Sequence, residues 1–102
     1  MPITGHKNIK IVASLALIND ADEILLSKRP KNKHLAGFWE FPGGKVEANE
    51  MPEIALIREI KEELDININN KCIAPLSFSE FDYKEFQLLL LLYVCRKWEG
   101  EP

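Results

Sequence analysis

Gly43-Gly44-Lys45-Val46-Glu47-Ala48-Asn49-Glu50, followed by Arg58-Glu59-Ile60-Lys61-Glu62-Glu63-Leu64-Asp65-Ile66, is the stretch whose reading decides this chain. Between its halves, Pro52 suits the first turn of a helix, and Ile57, Ile60 and Leu64 recur at the helical spacings of three and four. Asp65 and the run Asn67-Ile68-Asn69-Asn70 should end that helix. At roughly 100° per residue, Glu59, Glu62 and Glu63 share one arc of about 100°, away from the apolar positions. Glu59 and Glu63 form a like-charge i,i+4 pair, which costs a few tenths of a kcal/mol in an isolated helix, about 0.2–0.5. Arg58, four residues before Glu62, and Lys61 offset part of it. A hard divalent cation such as Mg²⁺, which prefers carboxylate oxygens, would relieve the rest. On geometry alone a solvated acidic face fits equally well.

Upstream, Ile9 to Ile18 is dense in apolar and β-branched residues and reads as a strand. Asn19-Asp20-Ala21-Asp22 is turn chemistry, with Glu23 to Ser27 as its hairpin partner. A basic loop follows, with Lys28, Arg29, Lys31, Lys33 and His34. Gly37 to Phe41 is a short aromatic strand that should stop at Pro42-Gly43-Gly44, leaving Lys45 to Met51 as loop. Trp39 reads as core or pocket wall. Downstream, Leu76 to Phe81 and Phe86 to Val94 read as two strands joined through Asp82-Tyr83-Lys84-Glu85. Five consecutive leucines, Leu88 to Leu92, favour helix by propensity. Their short run and flanking Phe, Tyr and Val instead indicate a central strand buried on both faces.

The chain has 102 residues, 13 Lys+Arg and 16 Asp+Glu, for a formal charge of −3. That length supports one domain, residues 1–102, with one core. The slight acidity argues against a nucleic-acid coat, which would carry a basic excess. An acidic protein that handles phosphates needs a cation between itself and its ligand. Cys72 and Cys95 form no CxxC and read as small core hydrophobes in a reducing, cytoplasmic setting. The N-terminus lacks the pattern of a signal peptide, and no apolar run approaches the roughly 20 residues of a membrane span.

The stretch resembles the Nudix box, GX5EX7REUXEEXGU with U a bulky aliphatic residue. Gly44, Glu50, Arg58, Glu59, Ile60, Glu62, Glu63 and Ile66 match at the right spacing, and Asp65 stands where the family has glycine. Asp tolerates the left-handed conformation of a helix C-terminus better than most residues. The departure should therefore cost roughly 1 kcal/mol or less in stability and leave the acidic face untouched. Gly37 to Glu47, Ser27-Lys28-Arg29 and Trp98-Glu99-Gly100-Glu101-Pro102 are similar to the MutT-type branch.

The resemblance implies an α/β/α sandwich with a mixed sheet. It also implies a Mg²⁺-dependent hydrolase, with Mn²⁺ as a substitute, that splits nucleoside triphosphates to monophosphate and pyrophosphate. Glu59, Glu62 and Glu63, with the Gly43 carbonyl, are then the metal ligands. Glu59 is the residue that would orient or deprotonate the attacking water. Arg29, His34, Glu40, Phe41, Pro42 and Gly43 fall at substrate-binding positions, and Gly44, Glu50 and Arg58 at structural ones. For Arg29, His34 and Phe41 the alternatives are surface charge or core packing.

In MutT-like proteins the chain continues past such a Trp98–Pro102 stretch into an acidic loop, a last strand and a second helix, so this sandwich is expected to be incomplete at its C-terminus. The substrate implied is an oxidised nucleotide such as 8-oxo-dGTP, in mutation avoidance. CTP, dCTP or another nucleoside diphosphate derivative is the alternative, and a non-catalytic base-recognition module a more distant one. A monomer or weak homodimer, without a stable nucleic-acid or membrane partner, completes the reading.

Overall fold

In the computed structural model, which describes residues 8–28 and 37–102, the apolar run near the start becomes a ten-residue strand, β1 (Asn8–Leu17). After it come β2 (Ser27–Lys28), β3 (Trp39–Glu40), β4 (Gly43–Lys45), helix α1 (Pro52–Leu64), β5 (Ile73–Asp82) and β6 (Phe86–Cys95). A single 3-10 turn at Asn70–Cys72 leads into β5. Four strands form one sheet in the order β4-β1-β6-β5, and β2 and β3 form a separate ribbon. β1 runs parallel to β6, whereas β4 on β1 and β5 on β6 are antiparallel, so the sheet is mixed.

The helix begins and ends as its sequence dictates. Pro52 occupies the first turn after an extended Met51, where its missing N–H is no loss. At the other end Asp65 takes the left-handed conformation (φ 55°, ψ 40°), its N–H bonded to the Lys61 carbonyl. Lys61 also pairs with the Asp65 carboxylate at 2.8 Å, so its charge serves the cap and not the glutamates. Ala55, Leu56 and Ile60 are fully buried, with Ile57 and Leu64 packed at the edge of the same core. They meet Ala13, Leu15 and Leu17 of β1, and Tyr93, Cys95, Ile66, Ile68 and Ile73 complete the cluster.

Four expectations need correction. Glu23 to Ser27 does not form a second strand on β1: beyond an Ile18–Ile24 bridge the chain leaves, and Ser27 pairs with Glu40 instead. The cause lies in the turn, where the Asn19 side chain accepts from the N–H groups of Ala21 and Glu23 and Asp22 is left-handed at φ 61°. The aromatic strand does stop ahead of Pro42, at Glu40, but the loop expected from there does not begin, for Gly43–Lys45 is itself strand β4, laid closely on β1. β5 starts at Ile73 and contains Pro75; a proline is tolerated there because β5 is an edge strand and the register shifts between Pro75 and Ser77. The five leucines do lie in a central strand, yet they are half-buried. α1 packs over β1 and β4, away from the edge strand β5, whose Leu76, Phe78 and Phe81 are exposed.

Cys95 is buried and Cys72 half-buried against the core, and both are free thiols. Among the described residues no helix is long and apolar enough to cross a membrane.

Candidate active site

The acidic face of α1 meets β4 at the edge of the sheet. Leu15 N–H bonds to the Pro42 carbonyl and Val46 N–H to the Ile11 carbonyl, each at 2.9 Å. Gly43, opposite Ser14 between those rungs, therefore occupies a non-hydrogen-bonded position, and its N–H and C=O turn away from β1. The N–H donates to Glu63 Oε2 at 3.3 Å. The carbonyl points to the same side.

Two glycines make this approach possible. A Cβ on Gly43 would lie 2.1 Å from the Ala13 carbonyl oxygen and 2.7 Å from Ser14 Cα, so only glycine lets β4 lie this close. The three atoms nearest to a Cβ on Gly44 would all belong to the Glu59 side chain, its carboxylate at 2.4 Å. Glu59 thus lies flat against β4 in the space a side chain would take.

Arg58 ties these parts together. Its Nε and Nη2 hold the two Glu50 carboxylate oxygens at 2.9 and 3.0 Å. Nη2 also donates to the Lys45 carbonyl at 3.3 Å, and Nη1 to Glu59 Oε1 at 2.7 Å. Glu62 Oε1 lies 3.7 Å from Nη1. Glu50 in turn accepts from the Glu47 N–H at 3.0 Å. The guanidinium fork and the Glu47 N–H hold the Glu50 carboxyl down to about 2. Arg58 is raised by Glu50 and then Glu59. The loop between β4 and α1 is thereby fastened to the helix at both ends.

Glu63 behaves differently. Burial of its carboxyl pushes its pKa up, and the charges of Glu40 and Glu59 push the same way, against the stabilising donors Gly43 N–H and the Ser27 hydroxyl. Glu40 and Glu59 thus both repel the Glu63 charge at the end of α1 nearest β3, an electrostatic condition that a cation relieves. Glu59 and Glu62 turn toward Arg58 and Glu63 toward Gly43. Among the described residues no three acidic, histidine or cysteine side chains converge closely enough to hold an ion as they stand. The donors are nonetheless all oxygens on one helix face beside a backbone carbonyl, the set a hard divalent cation takes, and the residues fit it in kind.

The remaining positions divide. Glu40 and Phe41 are half-buried and Pro42 is buried. Glu40 stands opposite Ser27 in the ribbon on the side of Glu63, whereas Lys28 and Trp39 share its other face. Trp39 is not core: it is 64% exposed, with Lys28 Nζ 5.8 Å above its ring. Arg29 and His34 lie outside the described residues. Sequence reasoning passed over Ser27 as a ligand of Glu63, since a lone serine in a strand carries no spacing signal.

The sequence profile of the NUDIX domain matches residues 13–102. The chain belongs to the Nudix family. It is 35% identical over 101 residues to the 8-oxo-dGTP diphosphatase of Escherichia coli K12, an alignment that covers 94% of this chain and 72% of that protein. It is 50% identical over 60 residues to the CTP pyrophosphohydrolase of the same organism, covering 59% of this chain and 43% of the relative. The crystal structure of a MutT NUDIX hydrolase from Burkholderia pseudomallei superposes with a TM-score of 0.82 at 32% identity, over 94% of this chain and 73% of that one. The mixed sheet with α1 over β1 and β4 is thus the Nudix α/β/α sandwich with one covering helix among the described residues, and the chain is a Nudix hydrolase.

Proposed function

We propose that this Nudix hydrolase is a Mg²⁺-dependent nucleoside triphosphate pyrophosphohydrolase that releases monophosphate and pyrophosphate, acting on oxidised nucleotides such as 8-oxo-dGTP. The observation that carries the reading is the acidic face of α1 set against β4. There Glu59 fills the space over Gly44, Glu63 takes the Gly43 N–H, and Arg58 braces the connecting loop. Glu59, Glu62, Glu63 and the Gly43 carbonyl would hold the cation, with Mn²⁺ as a substitute. Bound there, the ion neutralises triphosphate charge and polarises the phosphoryl oxygens.

The chain's own residues do the rest. Glu59 orients the attacking water or takes its proton. Arg58 and Glu50 hold the loop so that the carboxylates and Gly43 keep their spacing. Glu40, Phe41 and Pro42, directly ahead of Gly43, line the substrate's approach, and Arg29 and His34 are assigned to the substrate as well. The likeness to an 8-oxo-dGTP diphosphatase over most of the chain favours an oxidised purine and a role in clearing the nucleotide pool before DNA replication. The higher identity to a CTP pyrophosphohydrolase, over a shorter span, supports CTP or dCTP as the second reading. We assign the protein to the cytoplasm, as a monomer or weak homodimer without a nucleic-acid partner.

A panel of 8-oxo-dGTP, dGTP, CTP, dCTP and ADP-ribose with Mg²⁺, resolved by chromatography, tests the reading. Preferential loss of 8-oxo-dGTP supports it, and preferential loss of CTP or dCTP moves the assignment to the second reading. Turnover of no nucleotide by a folded chain would leave the base-recognition module as the better description.

A further inference from the structure

We propose that β5 is a self-association surface, on which a second copy of this chain pairs antiparallel and edge to edge. Among the described residues β5 ends the sheet, and every residue from Ala74 to Asp82 is exposed. Phe78 is 64% exposed, Leu76 58% and Phe81 44%, an apolar stretch on the kind of long edge that natural sheets shorten or charge. The direction of its backbone groups follows from two bonds. The Cys95 carbonyl accepts from the N–H of Ile18, next to the end of β1, and the Phe86 carbonyl from that of Tyr83, next to the end of β5. In β6, Cys95 and every second residue before it therefore address β1, and the alternate ones address β5. Phe78, Glu80 and Asp82 are registered on Leu91, Leu89 and Gln87, which address β1, so their own N–H and C=O groups point to the open edge. Pro75, registered on Tyr93, has no N–H to offer there. The pairing is thus carried by the second half of the strand, centred on Phe78.

Charge selects the occupant. Glu80 and Asp82 lie toward one end of β5, and Lys71, also exposed, lies just ahead of the other. Antiparallel pairing about a two-fold axis at Phe78 sets the two Phe78 rings together. It also brings the Lys71 end of each copy to the Glu80–Asp82 end of the other, twice. Parallel pairing would set the acidic residues against themselves, which destabilises. The edge is therefore complementary to itself, on a surface apart from α1 and β4.

Sedimentation velocity of the full chain from micromolar to millimolar concentration tests the proposal, with thermal unfolding of each variant as the control for folding. The weight-average sedimentation coefficient of the parent should rise with concentration. Phe78→Lys, at an exposed position, should weaken association at least about tenfold and move the unfolding midpoint no more than a surface substitution does. Lys71→Glu and Asp82→Lys should each weaken it too, because both set like charges together at the two ends. An equimolar mixture of those two variants should recover the association of the parent, since both ends of the mixed dimer again join opposite charges. A parent that stays monomeric at every concentration would overturn the proposal and leave the edge to a different occupant. Association that survives Phe78→Lys, or that the mixture fails to restore, would overturn it as well.

Discussion

Adjacent glycines at the edge of the sheet should fail in opposite ways when given a methyl group. At Gly43 the added Cβ would meet the Ala13 carbonyl at 2.1 Å, Ser14 Cα at 2.7 Å and the Ala13 carbonyl carbon at 3.0 Å. All three are backbone atoms of β1, where Ala13 and Ser14 are buried, so β1 cannot yield. β4 would have to retreat by roughly 1.4 Å to reach an ordinary contact of about 3.5 Å. That movement breaks or stretches the two 2.9 Å bonds from Leu15 to Pro42 and from Val46 to Ile11, each worth about 1 kcal/mol net. The φ of 151° adds backbone strain of about 1 kcal/mol for a residue with a side chain. Gly43→Ala should therefore lose about 3 kcal/mol, a large part of the 5–15 kcal/mol typical of a domain. At Gly44 the added Cβ first meets the flexible Glu59 side chain, at 2.4 to 2.7 Å. Glu59 swings away and gives up a part-exposed ion pair with Arg58, a loss of about 0–1 kcal/mol. The fold survives, but a carboxylate assigned to the proposed cation site is displaced, and Mg²⁺-dependent turnover should fall by at least about tenfold. Urea unfolding of both variants, with turnover measured on Gly44→Ala, separates the effects. Gly43→Ala within about 0.5 kcal/mol of the parent, a shift no larger than a surface substitution gives, would refute the close approach of β4 to β1. Equal destabilisation by the two would refute the distinction between backbone and side-chain contacts.

Glu63→Gln should abolish Mg²⁺-dependent turnover. Because the folded state raises the pKa of this carboxyl, its charge weakens the fold above that pKa. The variant should accordingly be as stable as the parent or more so at pH 7, with the difference vanishing in acid, as urea midpoints across pH would show. Glu50 is the opposite case: a carboxyl held near 2 against 4.5 contributes stability above pH 4.5 that is lost as pH falls toward 2. Glu50→Gln should flatten the acid side of the stability profile in that window, and an unchanged slope would contradict the Arg58 pairing. Asp65→Gly relieves a left-handed residue at φ 55° but removes the 2.8 Å pair with Lys61. These effects oppose one another, so the measured change should be near zero. A loss above about 1 kcal/mol would mean that Asp65 stabilises more than its pair with Lys61 explains.

What could be read in advance follows from how local each signal is. The helix was legible because Pro52, the apolar spacing and Asp65 act within a turn or two of one another, and the acidic face follows from the period alone. The two long C-terminal strands were legible from their apolar runs and the Asp82-Tyr83-Lys84-Glu85 connection. β4 was not, because Gly43-Gly44 has no strand propensity and is held in the sheet by how closely it packs on Ala13 and Ser14. The fate of Glu23 to Ser27 was also hidden: Ser27 finds its partner at Glu40, across a loop, and no local pattern encodes that pairing. In the site, the Nudix spacing of Glu50, Arg58, Glu59, Glu62 and Glu63 was complete in the sequence. The partition of Arg58 between Glu50, Glu59 and the Lys45 carbonyl depends on tertiary placement, and so does the Ser27 hydroxyl on Glu63.

The position of bond cleavage distinguishes a pyrophosphohydrolase from a phosphatase. 8-oxo-dGTP is incubated with the chain in the presence and absence of Mg²⁺, with Glu62→Gln as the control, and the products are separated by anion-exchange chromatography. Monophosphate and pyrophosphate should form in equal amounts with Mg²⁺, and neither product without it or with Glu62→Gln. Formation of diphosphate and inorganic phosphate, or turnover that persists in Glu62→Gln, would contradict a pyrophosphohydrolase built on the acidic face of α1.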